Sequence, residues 1–126
     1  MKLMLDTTFV IDYLRQQPEA LSRLRSIYEA GDEPLITSVV VSESWSGARS
    51  SRDDDLDAFL RYLEYVHPGP TTSQLAGIWR AAARLAGRTL SIEDALIGAT
   101  AFDQGAAVLT RNVKDFSQMP VRIETY

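Results

Sequence analysis

The chain has 126 residues, of which 45% are hydrophobic, so residues 1–126 are enough for a single domain with its own core. The absence of cysteine excludes disulfides, thiolate metal sites and a cysteine nucleophile. A net charge of −4 is unusual for a simple nucleic-acid binder, unless bound cations offset it locally. No export signal or membrane-spanning stretch is recognisable, so we expect a cytoplasmic protein without membrane contact.

The predicted elements alternate short apolar strands with longer helices. Strands are predicted at residues 3–5, 35–37, 65–67, 107–110 and 121–123, and helices at 7–15, 18–30, 38–49, 54–65, 72–87 and 91–104. The predicted helix caps are Thr7 or Thr8, Ser38 and Ser91. A polar turn is predicted at 50–55. Pro18 near the start of the second helix and Gly31 just after its end are typical of those positions.

This alternation predicts an α/β fold with a mainly parallel central sheet and helices on both of its faces. Parallel strands need crossover connections, and helical crossovers cover the sheet. Open parallel sheets bind their ligands beyond the carboxyl ends of the strands. Polar side chains that follow the strands are therefore the first candidates for a functional site.

Four acidic residues fall where such a sheet would present a site. Asp6 directly follows the first strand, and Asp115 lies a short loop beyond the fourth. Asp94 is in the first turn of a helix, and Glu43 lies in the helix that follows the second strand. Four neighbouring carboxylates repel each other strongly, and divalent cations would relieve that repulsion. Because the chain has one histidine and no cysteine, we expect Mg²⁺ or Mn²⁺ on oxygen ligands instead of zinc.

Each acid also has a purely structural interpretation. Asp6 would stabilise the start of a helix through the helix dipole, Asp94 would be only the acid of a capping box, and Asp115 would be an ordinary loop acid. Glu43 differs because its segment, residues 39–45, is largely apolar, and carboxylates are seldom buried without a partner. The residues alone leave both interpretations open.

Four short motifs follow one another along residues 3–116. They are LDTTFVID at 5–12, TSVVVSE at 37–43 with Gly47-Ala48 after it, DALIGATA at 94–101, and VLTRNVKDF at 108–116. Each motif is weak alone, but their order, spacing and structural context are specific. Over nearly its whole length the chain resembles the PIN-domain ribonucleases of the VapC toxin type.

The resemblance implies a three-layer α/β/α fold and RNA cleavage that depends on Mg²⁺ or Mn²⁺. It also implies a toxin that forms a homodimer and is restrained by a cognate antitoxin protein. Asp6, Glu43, Asp94 and Asp115 match the family's catalytic and metal-binding acids, and Thr7 and Thr110 match hydroxyl positions beside them. Gly98 stands where alanine is frequent. Asn112 stands where some members have aspartate, which leaves open whether position 112 or 115 supplies the fourth ligand.

The mechanism expected from these residues is hydrolysis by water. A bound Mg²⁺ would orient a water molecule and increase its acidity, and a carboxylate would accept its proton. His67 is the only histidine, so the histidine pair of a 2′-hydroxyl mechanism is missing, and a 5′-phosphate product is expected. The candidate RNA contacts are Arg80, Arg84, Arg111 and Lys114. For Arg80 and Arg84 the alternative is a merely solvated helix face.

Several features of the sequence also have other interpretations. The alternative function is a catalytically weak PIN-fold module that binds RNA or protein. A phosphotransferase of the haloacid-dehalogenase kind would need a second aspartate at position 8, which is threonine. The acidic run 53–55 lacks the pattern of a calcium loop and suits a helix start. Asp12 is expected to pair with Arg15. Core packing is the default for residues that recur at helical spacing, namely Phe59, Tyr62, Leu63 and Val66. The alternative is an antitoxin or dimer face that involves Trp45, Tyr62 or Trp79.

Overall fold

The computed structural model describes residues 1–47 and 53–126, in which strands and helices alternate. The strands are β1 (Lys2–Leu5), β2 (Glu33–Thr37), β3 (Glu64–Val66), β4 (Ala107–Leu109) and β5 (Ile123–Glu124). The helices are α1 (Thr7–Leu14), α2 (Pro18–Ala30), α3 (Ser38–Gly47), α4 (Asp53–Arg61), α5 (Pro70–Leu85), α6 (Ile92–Asp103) and α7 (Val113–Phe116). Among these helices none is long and apolar enough to cross a membrane.

The strands form one sheet in the order β3-β2-β1-β4-β5, and every neighbouring pair is parallel. Leu3 at the centre pairs with Pro34 on one side and Ala107 on the other. The chain builds outward from β1 to β3 and then returns to the other side of β1 with β4. The order therefore reverses between β1 and β4, and this switch point is where an open parallel sheet forms a crevice for a ligand.

The centre of the sheet is covered on both faces. Successive side chains of a strand point to opposite faces, and Leu3, Met4 and Leu5 of β1 are all fully buried. The same holds for Val108 and Leu109 of β4. Strands of continuous apolar residues thus lie between two helical layers, which confirms the predicted three-layer α/β/α fold with a parallel sheet.

Two helix boundaries agree with the sequence signals that predicted them. Helix α2 begins at Pro18 and ends before Gly31, whose φ of 73° is left-handed and so favours glycine. Ser91 caps α6, and its hydroxyl accepts a hydrogen bond of 3.1 Å from the backbone nitrogen of Asp94.

Other boundaries were wrong. Helix α4 ends at Arg61 instead of residue 65, because residues 64–66 pair with β2 as an edge strand. Helix α5 begins at Pro70, two residues before the predicted start, since proline is well suited to the first turn. The predicted turn at 50–55 is helical from residue 53 onward. Its residues 50–52, the predicted helix end at Arg49, and Ala48 of the second motif lie outside the described residues.

The predicted cap of the first helix was also wrong. The capping position is Asp6, and Thr7 and Thr8 are already helical. The side chain of Asp6 makes no capping hydrogen bond. The hydroxyl groups of both threonines bind carboxylates instead of the helix end.

Candidate active site

The four predicted acids lie near one another at the carboxyl edge of the sheet. Asp6 follows β1, the central strand, and Glu43 lies on α3, which follows β2 directly. Asp94 is in the first turn of α6, and Asp115 lies on α7 just beyond β4. The charges of the other three acids all act on Asp94. The structure therefore brings together the residues that the sequence pattern singled out.

Asp6 is held by hydroxyl groups instead of serving its helix. Its side chain is only 3% exposed. Oδ2 accepts hydrogen bonds from Oγ1 of Thr110 at 2.7 Å and from Oγ1 of Thr8 at 3.0 Å. These donors stabilise an ionised carboxylate in a buried place, where it would otherwise be costly. The purely structural interpretation of Asp6 as a helix-start residue does not explain these contacts.

Glu43 is half-buried and has a hydroxyl partner of its own. Oγ1 of Thr7 donates a hydrogen bond of 2.7 Å to its Oε1. Burial raises the pKa of Glu43 most strongly, the charges of Asp6 and Glu93 raise it further, and the bond from Thr7 lowers it. Adjacent threonines of α1 thus serve two different acids, Thr7 binding Glu43 and Thr8 binding Asp6.

Asp94 is the acid on which the repulsion of the site acts most clearly. Burial, and then the charges of Asp6, Asp115 and Glu43, raise the pKa of Asp94 to about 6, although Ser91 lowers it. Nδ2 of Asn112 donates a hydrogen bond of 3.4 Å to Oδ2 of Asp94. A carboxylate surrounded by like charges is a strong candidate for binding a cation.

Asp115 and Asn112 occupy different parts of the site. The backbone nitrogen of Asn112 donates to Oγ1 of Thr110 at 2.8 Å, so its side chain is fixed next to Asp94. Asp115 lines a groove of about 460 Å³ together with Arg88 and Lys114. Asn112 therefore faces Asp94 with its amide nitrogen, whereas Asp115 adds a carboxylate and a negative charge.

The donor chemistry of this site fits a hard divalent cation. All the candidate ligands are carboxylate oxygens, which suit Mg²⁺ or Mn²⁺. Within residues 1–47 and 53–126, no three acidic, histidine or cysteine side chains are close enough together to hold one ion. Mg²⁺ commonly takes only one or two carboxylates and keeps water in its other positions. Asp6 and Asp94 would supply such a pair, with Glu43 and Asp115 holding water around it.

Two of the predicted RNA-contact residues already make hydrogen bonds within the protein, and the other two are exposed. Nε of Arg80 donates to the carbonyl oxygen of Leu90 at 3.0 Å, which ties α5 to the start of α6. Nε of Arg111 donates to Oδ2 of Asp12 at 3.0 Å. Arg84 and Lys114 are exposed. Contact of these residues with RNA stays a prediction.

Sequence reasoning missed several residues around the site. Asp12 pairs with Arg111 and with the hydroxyl of Tyr126 at 2.6 Å, not with Arg15, which is exposed. Asp12 lies four residues after Thr8, so the helical spacing placed it on the side of α1 that meets the site. No sequence signal indicated Tyr126, because its contact with Asp12 spans 114 residues.

The remaining residues that the sequence singled out lie elsewhere on the surface. Residues 53–55 form the first turn of α4, as the helix-start interpretation expected. Trp79 is half-buried and meets the ring of Phe102 edge-on, with 5.6 Å between centroids. Trp45 and Tyr62 are exposed, so core packing was the wrong default for Tyr62.

Comparison with known proteins identifies a consistent set of relatives. The family model described as PIN domain matches residues 3–121. The chain is 32% identical over 120 residues to ribonuclease VapC19 of Mycobacterium tuberculosis, with 95% of each protein covered. It also shares its fold with a chain in the crystal structure of VapBC2 from Rickettsia felis bound to a promoter DNA fragment. The two chains are 23% identical, with a TM-score of 0.85, and the match covers 100% of this chain and 99% of the other. It also shares the fold of a chain in a toxin–antitoxin complex from Klebsiella pneumoniae, at 22% identity and a TM-score of 0.80, covering 97% and 96%.

Proposed function

The chain belongs to the PIN-domain family, and on that basis we propose that it is a metal-dependent endoribonuclease that acts as the toxin of a toxin–antitoxin pair. It hydrolyses phosphodiester bonds of RNA in the cytoplasm. The observation that carries the proposal is the gathering of like charges around Asp94, because Asp6, Asp115 and Glu43 all act on it. Such a cluster is tolerable when a cation is bound and has no obvious purpose otherwise.

Each residue of the site has a role in the proposed hydrolysis. Asp6 and Asp94 would hold the metal ion, and the hydroxyl groups that bind Oδ2 of Asp6 keep that carboxylate oriented. When bound, Mg²⁺ or Mn²⁺ increases the acidity of the attacking water and offsets charge that develops on the phosphate. Oε1 of Glu43 is occupied by Thr7, so Oε2 is the oxygen that accepts the proton of the water. The water oxygen would bond to phosphorus while the bond to the 3′ oxygen breaks. The leaving 3′ oxygen takes a proton from solvent water, so the products are a 3′-hydroxyl and a 5′-phosphate.

Asp115 and Asn112 complete this arrangement in different ways. As the fourth acid, Asp115 would hold water near the metal. Its negative charge repels that of Asp94, and a bound cation would relieve this repulsion. Asn112 orients Asp94 through its amide nitrogen and is not a ligand. The proposal therefore assigns the fourth acidic position to Asp115 and not to Asn112.

RNA reaches the site along the groove that Asp115 shares with Arg88 and Lys114. These two cations lie beside the acids, where they offset the repulsion between carboxylates and phosphate. A second groove, of about 630 Å³, lies between α3 and α6, is lined by Glu43 and Glu93, and is unsuited to phosphate. Arg84 and the Nη atoms of Arg111 supply further phosphate contacts, and Arg80 supports the adjacent loop.

The experiment that tests the activity is cleavage of total cellular RNA with mapped ends. Wild-type protein is expected to cleave with Mg²⁺ or Mn²⁺, to leave 5′-phosphates, and to stop when EDTA is added. Asp94→Asn is expected to lose at least about a hundredfold in kcat, since a metal ligand is removed. Asp57→Asn, which removes an exposed acid of α4, is the matched control and should retain activity. Undiminished cleavage in EDTA would show that the metal mechanism is wrong.

The partner of the proposed toxin is a small antitoxin protein, and the toxin itself acts as a homodimer. A solved relative of the same fold is a toxin–antitoxin complex, which supports this partner. Expression of the chain alone is expected to arrest bacterial growth, and co-expression of the gene beside it should restore growth. Asp94→Asn should be harmless at the same expression level. Growth arrest by that variant would mean that toxicity does not come from RNA cleavage.

A further inference from the structure

We propose that Asp12, Arg111 and Tyr126 form a positioning cluster that holds the loop 110–112 against the acidic site. The inference rests on the proposed function, because it assigns these three residues a part in the same site. The cluster joins three segments that are distant in the sequence: helix α1, the loop after β4, and the chain beyond β5. No residue of the cluster is one of the four acids.

The cluster converges on one carboxylate oxygen. Oδ2 of Asp12 accepts a hydrogen bond of 3.0 Å from Nε of Arg111 and another of 2.6 Å from the hydroxyl of Tyr126. The guanidinium carbon of Arg111 lies 5.7 Å from the centre of the Tyr126 ring, within cation–π range. That ring also meets the ring of Phe9 edge-on, with 5.1 Å between centroids, and Phe9 is fully buried. The position of Arg111 is therefore fixed by the carboxylate of Asp12 and the ring of Tyr126, which the tyrosine hydroxyl joins to each other.

Arg111 is the middle residue of the loop whose neighbours bind the acids. Before it, Thr110 donates to Asp6 at 2.7 Å; after it, Asn112 donates to Asp94 at 3.4 Å. The backbone nitrogen of Arg111 itself donates to Oγ1 of Thr8 at 3.3 Å. Movement of Arg111 would consequently shift the partners of two proposed metal ligands together.

The contacts favour a local role over a role in overall stability. The side chain of Arg111 is 47% exposed, and an ion pair that reaches water contributes little to the free energy of unfolding. Residues that orient metal ligands, in contrast, typically change metal affinity or activity by 10–100-fold when they are altered. Loss of the cluster should therefore affect the site much more than the fold.

The test compares Tyr126→Phe and Asp12→Asn with wild type. Tyr126→Phe keeps the ring against Phe9 and removes only the hydroxyl, and Asp12→Asn removes the charge that binds Arg111. Three quantities are measured without RNA: the melting temperature, the Mn²⁺ affinity from the free-Mn²⁺ signal in electron paramagnetic resonance, and amide hydrogen exchange at residues 111 and 112. Arg61→Gln is the control, because it breaks an exposed ion pair on α4 with Asp57.

Both cluster variants are expected to melt close to the wild-type temperature, to bind Mn²⁺ about tenfold more weakly, and to exchange faster at residues 111 and 112. Arg61→Gln should match wild type in all three. Unchanged exchange in both variants overturns the inference, and so does faster exchange with unaltered Mn²⁺ affinity. If wild type binds no Mn²⁺ and cleaves no RNA, the proposed function fails, and the exchange rates alone then decide whether the cluster holds the loop.

Discussion

At the scale of single residues, Asp94 shows how the site responds to pH. Its pKa of about 6 in the folded protein lies above the ordinary range of an aspartate. Between about pH 4 and pH 6 the folded state therefore binds a proton that the unfolded state has released. The stability contributed by this proton is fully present below about pH 4 and is lost as pH rises through 6. Metal-free protein should consequently gain stability from Asp94 when the pH is lowered from 7 to 5.

Asp94→Asn should remove this pH dependence. Burial of the charge together with repulsion by the other acids would correspond to roughly 3 kcal/mol, but water near the carboxylate screens both, so about 1 kcal/mol is expected. Metal-free Asp94→Asn should thus melt about 3–5 °C higher than wild type at pH 7 and at nearly the same temperature at pH 4. Thermal unfolding in EDTA across this range is the measurement. A variant that melts lower than wild type at pH 7 would show that Asp94 is a structural residue.

Asp6→Asn should behave differently at the same pH. Its Oδ2 accepts hydrogen bonds from Thr8 and Thr110, and replacing that oxygen with an amide nitrogen disrupts them at a cost of about 1 kcal/mol each. This loss offsets the relief of repulsion, so no gain in melting temperature is expected. The two acids are thus distinguished by their neighbours, although their positions in the sequence looked equally promising.

At the scale of helices and strands, α6 is built from small residues that pack closely on their surroundings. A Cβ atom at Gly98 would lie 2.6 Å from Sδ of Met119, which is closer than real contacts allow. Glycine at this position therefore makes room for Met119, which is buried. The departure from the alanine that is frequent here has a packing reason that the sequence could not show.

The effect of Gly98→Ala on the free energy of unfolding should depend on the residue at position 119. In wild type the added methyl meets only the flexible end of the Met119 side chain, and the cost of moving it aside offsets the better helix propensity of alanine, so little net change is expected. In a Met119→Ala background the space is open, so the same change should stabilise by about 1 kcal/mol. Urea unfolding of the four proteins gives both values. An effect of equal size in both backgrounds would mean that Met119 is not the cause.

The elements themselves were largely predictable, because hydrophobic periodicity and capping residues are local signals. Helix α2 follows directly from Pro18 and Gly31. The end of α4 was not predictable, because Phe59, Leu63 and Val66 continue a helical spacing past Arg61. Pairing of residues 64–66 with β2 overrides that spacing, and such pairing depends on the tertiary structure.

At the scale of the whole molecule, the convergence of the acids could be predicted, but which hydroxyl group binds which acid could not. Parallel strands place Asp6 and the residues after β4 at one edge of the sheet, whatever the side chains are. Successive side chains of a helix point in different directions around its axis, so the neighbouring hydroxyl groups of Thr7 and Thr8 reach different acids. The pairing of Asp12 with Arg111 joins residues 99 positions apart, which one sequence cannot reveal.

The net charge of −4 makes RNA binding depend on a few well-placed cations. Arg88 and Lys114 share a groove with Asp115, so each is expected to contact phosphate beside the site. Lys114→Gln should raise KM severalfold and leave kcat nearly unchanged, because the contact is present in both the ground and transition states. It should also reduce the slope of RNA affinity against salt by about 0.7, the value for one phosphate contact on a single strand.

The control is Arg25→Gln, which removes an exposed cation of α2, a helix that does not line this groove. This variant should leave KM and the salt slope as in wild type. A salt titration of RNA binding with the inactive Asp94→Asn protein, together with steady-state kinetics of the active one, measures both. If Lys114→Gln lowers kcat while binding and its salt slope are retained, Lys114 takes part in the chemical step, and the groove is not the path of the RNA backbone.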